Sequence, residues 1–331
     1  MNERAVSVFE QYDFQILRTW KGRGAILCET DQGIRILKEY NGSRERIYLE
    51  QKLLLALRAN GFPFAEEILS NKEGEPYFAD IDQTIYIVKS YMDGRECNIR
   101  EEREYLAAVR MLAKLHKAMQ LPELIPECSL TTLPILFEFE KRNKELRKVK
   151  KYLKEKKQKT DFERYLQNYY EMFYEKAIRV TEELTSYPVA QWLKDLQENG
   201  TFCHGDYQYH NIIVSGDDIH LINFEKFGVE DPVRDLYLFM RKLLEKNNWD
   251  PGLGRNLVQE YESERALPIQ SKIQLLYRFL YPEKFWKVVN YYYNNSKSFI
   301  PNRNKEKLDK IIMQESAKET FTEQVLRSVS S

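Results

Sequence analysis

Short runs of alternating apolar and polar residues crowd the first ninety positions, and longer stretches with apolar residues three and four apart dominate the rest. The alternation predicts strands over Phe14 to Trp20, Ala25 to Glu29 and Gly33 to Lys38, separated by turn residues at Lys21 to Gly24 and Asp31 to Gly33, hence an antiparallel meander. Ser43 is placed to cap a helix running to about Asn60, with Ile47, Leu54 and Leu57 near one face, and Gly61 stops it. Pro76 to Ala79 and Thr84 to Ser90 read as two more strands. Beyond residue 92 the period lengthens. Leu106, Val109, Leu112 and His116 place a helix over Glu102 to Met119; Leu146, Val149 and Leu153 mark another over 141–159; Phe162, Tyr165, Tyr169 and Met172 continue on the next. Thr160 and Glu163 have capping-box spacing, so the last two form an antiparallel pair. A tight hairpin is expected where Ile212 to Val214 and Ile219 to Ile222 flank Ser215 to Asp218, and a helix opens after Asp231. The fold class is α+β. A small antiparallel-sheet lobe with one helix covers residues 1–92, and a larger, mainly helical lobe covers 93–331, with a Lys-rich helical hairpin at 137–180.

Composition narrows the functional classes. With 331 residues, 43% of them hydrophobic, the chain buries a substantial core. Lys plus Arg (51) equals Asp plus Glu (51), so no overall field draws it to nucleic acid or to an acidic membrane. No apolar run approaches bilayer length, and Met1-Asn-Glu-Arg lacks the apolar core of a signal peptide, which makes the cytoplasm the expected location. The hairpin lysines are expected on a solvated face rather than on an anionic polymer. Cys28, Cys97, Cys128 and Cys203 are too scattered for a zinc or redox motif, and His116 lies near an apolar face as a core histidine.

The candidate chemistry is concentrated at His204-Gly-Asp-Tyr-Gln-Tyr-His-Asn211. In the phosphoryl-transfer pattern H-x-D-x-x-x-x-N, the Asp takes the proton of the attacking hydroxyl and the Asn offers its amide oxygen to Mg²⁺. Those positions are Asp206 and Asn211. The hairpin that follows returns residue 223 beside residue 211, where a second metal ligand is needed; the pattern has Asp there and this chain has Asn223. Mg²⁺ prefers anionic oxygens, and a neutral amide supplies one carbonyl at best. Glu225 is the nearest replacement carboxylate. In the first lobe, Lys38 at a strand end and Glu50 on the following helix suit the ion pair that orients ATP phosphates. Asp235, near a helix N-terminus, is suited to accept backbone donors and brace a loop.

These segments resemble the aminoglycoside phosphotransferase and choline kinase superfamily, in which HGD-x-x-x-x-N precedes Ile-Asp-Phe/Trp-Glu. With Gly61-Phe-Pro63, Tyr91-Met-Asp-Gly-Arg-Glu96, Leu112-Ala-Lys-Leu-His116, the Lys-rich hairpin, Ile222-Asn-Phe224, Asp235-Leu-Tyr237 and Tyr291-Tyr-Tyr-Asn294, the chain more closely resembles the CotS family of bacterial spore coat proteins. The resemblance implies a bilobal protein-kinase-like fold, with Asp206 as base, Asn211 as magnesium ligand and Asn223 as its degenerate partner. It further implies that Lys38 and Glu50 orient phosphates, that Lys89 to Met92 form the hinge reading adenine through backbone groups, and that His204 and Asp235 support the catalytic loop. The function it implies is a spore coat protein with a kinase-like fold, a pseudokinase of weak or absent activity. The alternative is an active ATP-dependent phosphotransferase acting on a hydroxyl of a small molecule of aminoglycoside, choline or sugar-like type. ATP and Mg²⁺ are the expected cofactors of an active form, and other coat proteins are expected partners. The expected location becomes the mother-cell cytoplasm with assembly into the coat.

Overall fold

A computed structural model describes residues 3–22, 24–128, 134–294 and 301–327. The expected turn at Lys21 to Gly24 includes Arg23, which lies outside the described residues. The chain folds into two compact units, residues 1–130 with 199–228, and residues 131–198 with 229–331.

In the first unit, β1 (Ile16–Lys21), β2 (Ile26–Thr30), β3 (Gly33–Glu39), β4 (Phe78–Ala79) and β5 (Ile85–Ser90) form one sheet in the order β1-β2-β3-β5-β4. All neighbours run antiparallel, with Lys38 opposite Ile87 and Ile36 opposite Lys89. A short helix, α1 (Glu3–Phe9), precedes the meander. It brings Val8 and Phe9, with Tyr12 just beyond it, under Cys28, Leu37 and Val88 of the sheet. Two turns of helix carry too little periodicity to be legible in sequence. Helix α2 (Arg44–Ala59) starts where Ser43 predicts, the serine hydroxyl accepting from the Arg46 amide at 3.3 Å. Its buried face is Ile47, Leu49, Glu50, Leu53, Leu54 and Leu57. A glutamate in that row needs a buried cation.

The same unit holds α3 (Glu102–Ala118), in which His116 is fully buried, and the short strands β6 (Arg95–Glu96), β7 (Phe202–Cys203), β8 (Ile212–Ser215) and β9 (Asp218–Leu221). The expected hairpin is β8–β9, with β6 on its outer edge. Residues 64–66 are stitched to it: the Leu221 amide donates to the Phe64 carbonyl at 2.7 Å, and the Glu66 amide to the Leu221 carbonyl at 3.0 Å. The His204-to-Asn211 segment is anchored from below, where the buried Tyr207 hydroxyl donates to the Ala108 carbonyl of α3 at 2.7 Å.

The second unit is helical. Helices α4 (Ile135–Glu155) and α5 (Asp161–Leu184) form the lysine-rich pair, joined by a capping box in which Thr160 and Glu163 each satisfy the other's backbone. Lys141, Lys144, Lys148, Lys151 and Lys154 are exposed, as a solvated face requires. Helix α4 begins six residues earlier than its charged stretch suggests, because Ile135 and Phe139 are buried. Helices α6 (Val189–Glu198), α7 (Val233–Leu244), α8 (Pro251–Glu264), α9 (Ile269–Leu280), α10 (Glu283–Asn294) and α11 (Pro301–Phe321) complete it. Aromatic stacking lines its interior, with Phe139 on Tyr281 at 4.0 Å and Phe173 on Phe285 at 4.6 Å between ring centroids.

Candidate active site

The site residues of the first unit come from four places: the loop after β7, the turn after β9, the sheet with α2, and the irregular segment after α2 that carries Glu66. His204 is fully buried and ties the first two together. Its Nδ1 accepts from the Asp206 amide at 3.2 Å, which leaves Nε2 to carry the proton and donate to the Ile222 carbonyl at 3.1 Å. Its ring packs on Phe224, 4.5 Å between centroids. Gly205 permits this crossing. It has φ of +79°, and a Cβ there would stand 2.0 Å from the Lys226 carbonyl oxygen. Gly205→Ala is therefore expected to lower stability by about 2–3 kcal/mol through backbone strain and overpacking, read as a lower urea midpoint at unchanged m-value.

Asp206 faces Gln208 through Oδ1 and Lys226 Nζ through Oδ2, the latter at 2.8 Å. Burial pushes its carboxyl up, but hydrogen bonds from Lys226 and Gln208 and the Lys226 charge outweigh it and hold the group below the usual aspartate range. A base so paired is a weaker proton acceptor. Lys226 follows the motif directly, yet only the short turn at Phe224–Lys226 aims it at Asp206.

The side-chain amides of Asn211 and Asn223, expected from the sequence as metal ligands, meet. Asn211 Nδ2 donates to the Asp206 carbonyl at 2.8 Å, and Asn223 Nδ2 donates to Asn211 Oδ1 at 2.8 Å. Asn223 Oδ1 faces Lys38 Nζ at 3.5 Å. An ammonium only donates, so the polarity of this chain is determined at its Lys38 end. Asn223 has φ of +64°, in the left-handed region that asparagine tolerates better than most residues.

Glu66, not singled out by sequence, holds that conformation. Its Oε1 accepts the amides of Asn223 at 2.7 Å and Phe224 at 3.3 Å. Glu66 is in turn bound by Lys89 Nζ at 2.9 Å, and the same ammonium binds Glu50 at 3.0 Å. All three side chains are at most 3% exposed. Glu50 thus stands on Lys89 of β5 rather than on Lys38 of β3. Lys38 instead pairs with Glu225, which also lies 3.7 Å from Lys89. Burial pushes the Lys89 ammonium down, but Glu66, Glu50 and Glu225 more than reverse it and keep it charged. Burial raises Glu225, and Lys89 with Lys38 brings it below the usual range. Arg46 of α2 braces the turn from outside, donating to the carbonyls of Glu225 and Phe227 with its guanidinium 3.8 Å above the Phe227 ring. Met92 is half-buried just beyond β5, and Asp235 is fully buried in the first turn of α7 in the second unit. The signal for Glu66 was absent because residues 61–70 have no regular period.

These residues do not fit a magnesium ion. Asn211 and Asn223 are neutral amides hydrogen-bonded to each other, the Asn223 oxygen faces an ammonium, and the nearby carboxylate, Glu225, is turned to Lys38, whereas Mg²⁺ prefers anionic oxygens. Among the described residues no group of three or more His, Cys, Asp or Glu side chains is arranged to hold a metal.

A strand lysine, a buried helix glutamate and a His-Gly-Asp loop five residues ahead of an Asn define a kinase-like α+β fold, and solved structures agree. An aminoglycoside phosphotransferase from Alicyclobacillus acidocaldarius matches with TM-score 0.83 at 18% identity, covering 98% of this chain and 96% of that one. Spectinomycin phosphotransferase in complex with ADP and spectinomycin matches at 0.67 and 14%, covering 98% of each. An amicoumacin kinase bound to AMP-PNP and Ca²⁺ matches at 0.58 and 13%, covering 98% and 94%. At such identities the likeness is one of fold. No curated protein matches by sequence. The chain belongs to the family described as "Spore coat putative kinase YutH", whose model matches residues 5–325.

Proposed function

We propose that this chain is a spore coat component that keeps the phosphotransferase fold as a nucleotide-binding module and turns over ATP weakly or not at all. The observation that carries this reading is the hydrogen bond from Asn223 Nδ2 to Asn211 Oδ1 at 2.8 Å, which pairs two neutral amides where a magnesium ion prefers a carboxylate. Lys226 on Asp206 works in the same direction, because a base held low by an ammonium removes a hydroxyl proton poorly. Coat association comes from the family, and other coat proteins are the proposed partners. Lys38 is the proposed phosphate ligand, with the backbone of Lys89 to Met92 as the proposed adenine-reading hinge between a lobe of residues 1–92 and a lobe of 93–331.

A second reading, an active kinase for a small hydroxylated substrate, draws on the His204–Ile222 link and the placement of Asp206 beside Asn211. ADP release with Mg²⁺ and ATP separates the two. The parent is expected to be indistinguishable from Asp206→Ala, and Asn223→Asp with Lys226→Ala to gain Mg²⁺-dependent turnover. Turnover in the parent that Asp206→Ala abolishes overturns the module reading.

A further inference from the structure

Two surface features of opposite charge take no part in the site described above. The first is the turn between β4 and β5. Residues 73–88 carry the carboxylates of Glu73, Glu75, Asp80 and Asp82 and neither lysine nor arginine. The turn is built rather than loose: the Gln83 amide donates to the Asp80 carbonyl at 2.9 Å, the Thr84 amide donates to the Asp80 carboxylate at 2.9 Å, and Gln83 closes the loop with a left-handed φ of +61°. Arg44 of α2 braces it, donating to the Gln83 side-chain oxygen at 3.3 Å. Between Asp80 and Asp82 this turn holds Ile81 fully exposed. A lone exposed isoleucine is ordinary, but one fixed on a tip between two aspartates has a specific complement, an apolar hollow rimmed by cations.

The second unit has such a hollow. Between α10 and α11 runs a groove of about 320 Å³ whose lining includes Lys284, Lys287, Lys307 and Lys310 and no acidic residue. Lys284 binds Glu245, and Lys287 binds Glu283 at 2.7 Å, yet each of these carboxylates also has a second cation, Arg241 and Arg142 respectively. Lys307 lies 5.3 Å from the centroid of the Tyr291 ring, and among the described residues neither it nor Lys310 meets a carboxylate. The rim therefore keeps a surplus of positive charge. Val288, Tyr291 and Ile311 supply the apolar part of the lining.

We infer that this chain associates head to tail with further copies of itself, the Asp80-Ile81-Asp82 tip of one copy seating in the lysine groove between α10 and α11 of the next. Ile81 meets Val288 and Ile311, and the flanking aspartates meet Lys307 and Lys310. A tip already fixed by its own hydrogen bonds loses little freedom on docking. Tip and groove are different patches, so the contact closes into a ring or runs on as a filament. The inference goes beyond the reading above, which names other coat proteins as partners, and neither ATP nor turnover enters its test.

Sedimentation equilibrium of the full chain tests it. One turn in one groove is a small interface, so the expected dissociation constant is about 10–100 µM in about 50 mM salt, and about tenfold weaker in about 500 mM salt because the charges are solvated. Ile81→Lys is expected to weaken the association at least about tenfold, and Lys307→Ala with Lys310→Ala to do the same, each with an unchanged circular dichroism spectrum because these side chains are exposed. Mixed in equal amounts, the two variants hold one intact tip and one intact groove between them, and they are expected to form dimers and nothing larger. A parent that stays monomeric up to about 300 µM in low salt, association indifferent to either variant, or a mixture of the two that stays monomeric overturns the inference.

Discussion

Lys89→Met is expected to destabilise the first unit by about 3–5 kcal/mol, because it leaves buried carboxylates without their cation. Methionine fills the space of the lysine stem, so the loss is electrostatic rather than a cavity. Lys89 is 2% exposed, Glu50 fully buried and Glu66 3% exposed, and water cannot replace the ammonium. The pH dependence distinguishes this from a packing defect. Lys89 has its pKa raised on folding, so its contribution is complete at neutral pH and is lost only as pH climbs through that raised value. Burial already pushes the Glu50 carboxyl above its usual range while Lys89 pulls it back. Without Lys89 it rises further. A carboxyl with a raised folded pKa stabilises most below its unfolded value and loses that contribution as pH rises through the folded one. The penalty of Lys89→Met is therefore expected to be smaller near about pH 5 than near about pH 8, measured by urea unfolding with hydrogen exchange on β5. A penalty equal at both values sinks the electrostatic account. Lys89→Met with Glu50→Gln is expected to recover part of the loss.

Arg278→Met is expected to cost the second unit a similar amount, about 3–5 kcal/mol, for the same reason on a different frame. Arg278 of α9 is 5% exposed and bridges Glu230, 7% exposed, to Glu138 of α4, the latter at 3.3 Å. Burial pushes the Glu230 carboxyl up, with Arg278 and then Arg234 opposing it, and removing the larger opposing charge leaves a buried acid dependent on Arg234 alone. The planar guanidinium reaches both carboxylates at once and a single ammonium does not, so Arg278→Lys is expected to restore less than half of the loss. Fluorescence of the buried Trp249 and exchange of the α9 amides read this unit. A loss below about 1 kcal/mol, the level of a solvated pair, overturns the assignment.

The part of this protein legible in its sequence is the part governed by local rules. The helix start at Ser43, the Thr160–Glu163 capping box and the β8–β9 hairpin depend on residues within a few positions of one another, and they lie where spacing and turn chemistry placed them. The His204-to-Asn211 motif and Asn223 were visible because a hairpin carries its own return address: twelve residues suffice to bring 223 onto 211. Helix α4 starts ahead of its charged stretch because Ile135 and Phe139 are buried, and the seven residues of α1 hold too few repeats to show a period.

The ionic wiring was not legible. Two lysines, Lys38 on β3 and Lys89 on β5, compete for Glu50, and nothing local ranks them; the choice follows from which ammonium the sheet buries beneath α2. Glu66 reaches across 157 positions to the Asn223 amide, and Arg46 across 179 to the Glu225 carbonyl. The sequence by itself determined the kinase-like frame and the asparagine at 223 where that pattern has Asp, because both are written in residue type and short spacing. Only the tertiary structure decided which charges answer one another around that gap, because partners so distant in the chain are selected by burial and by the energetic cost of leaving any one of them alone.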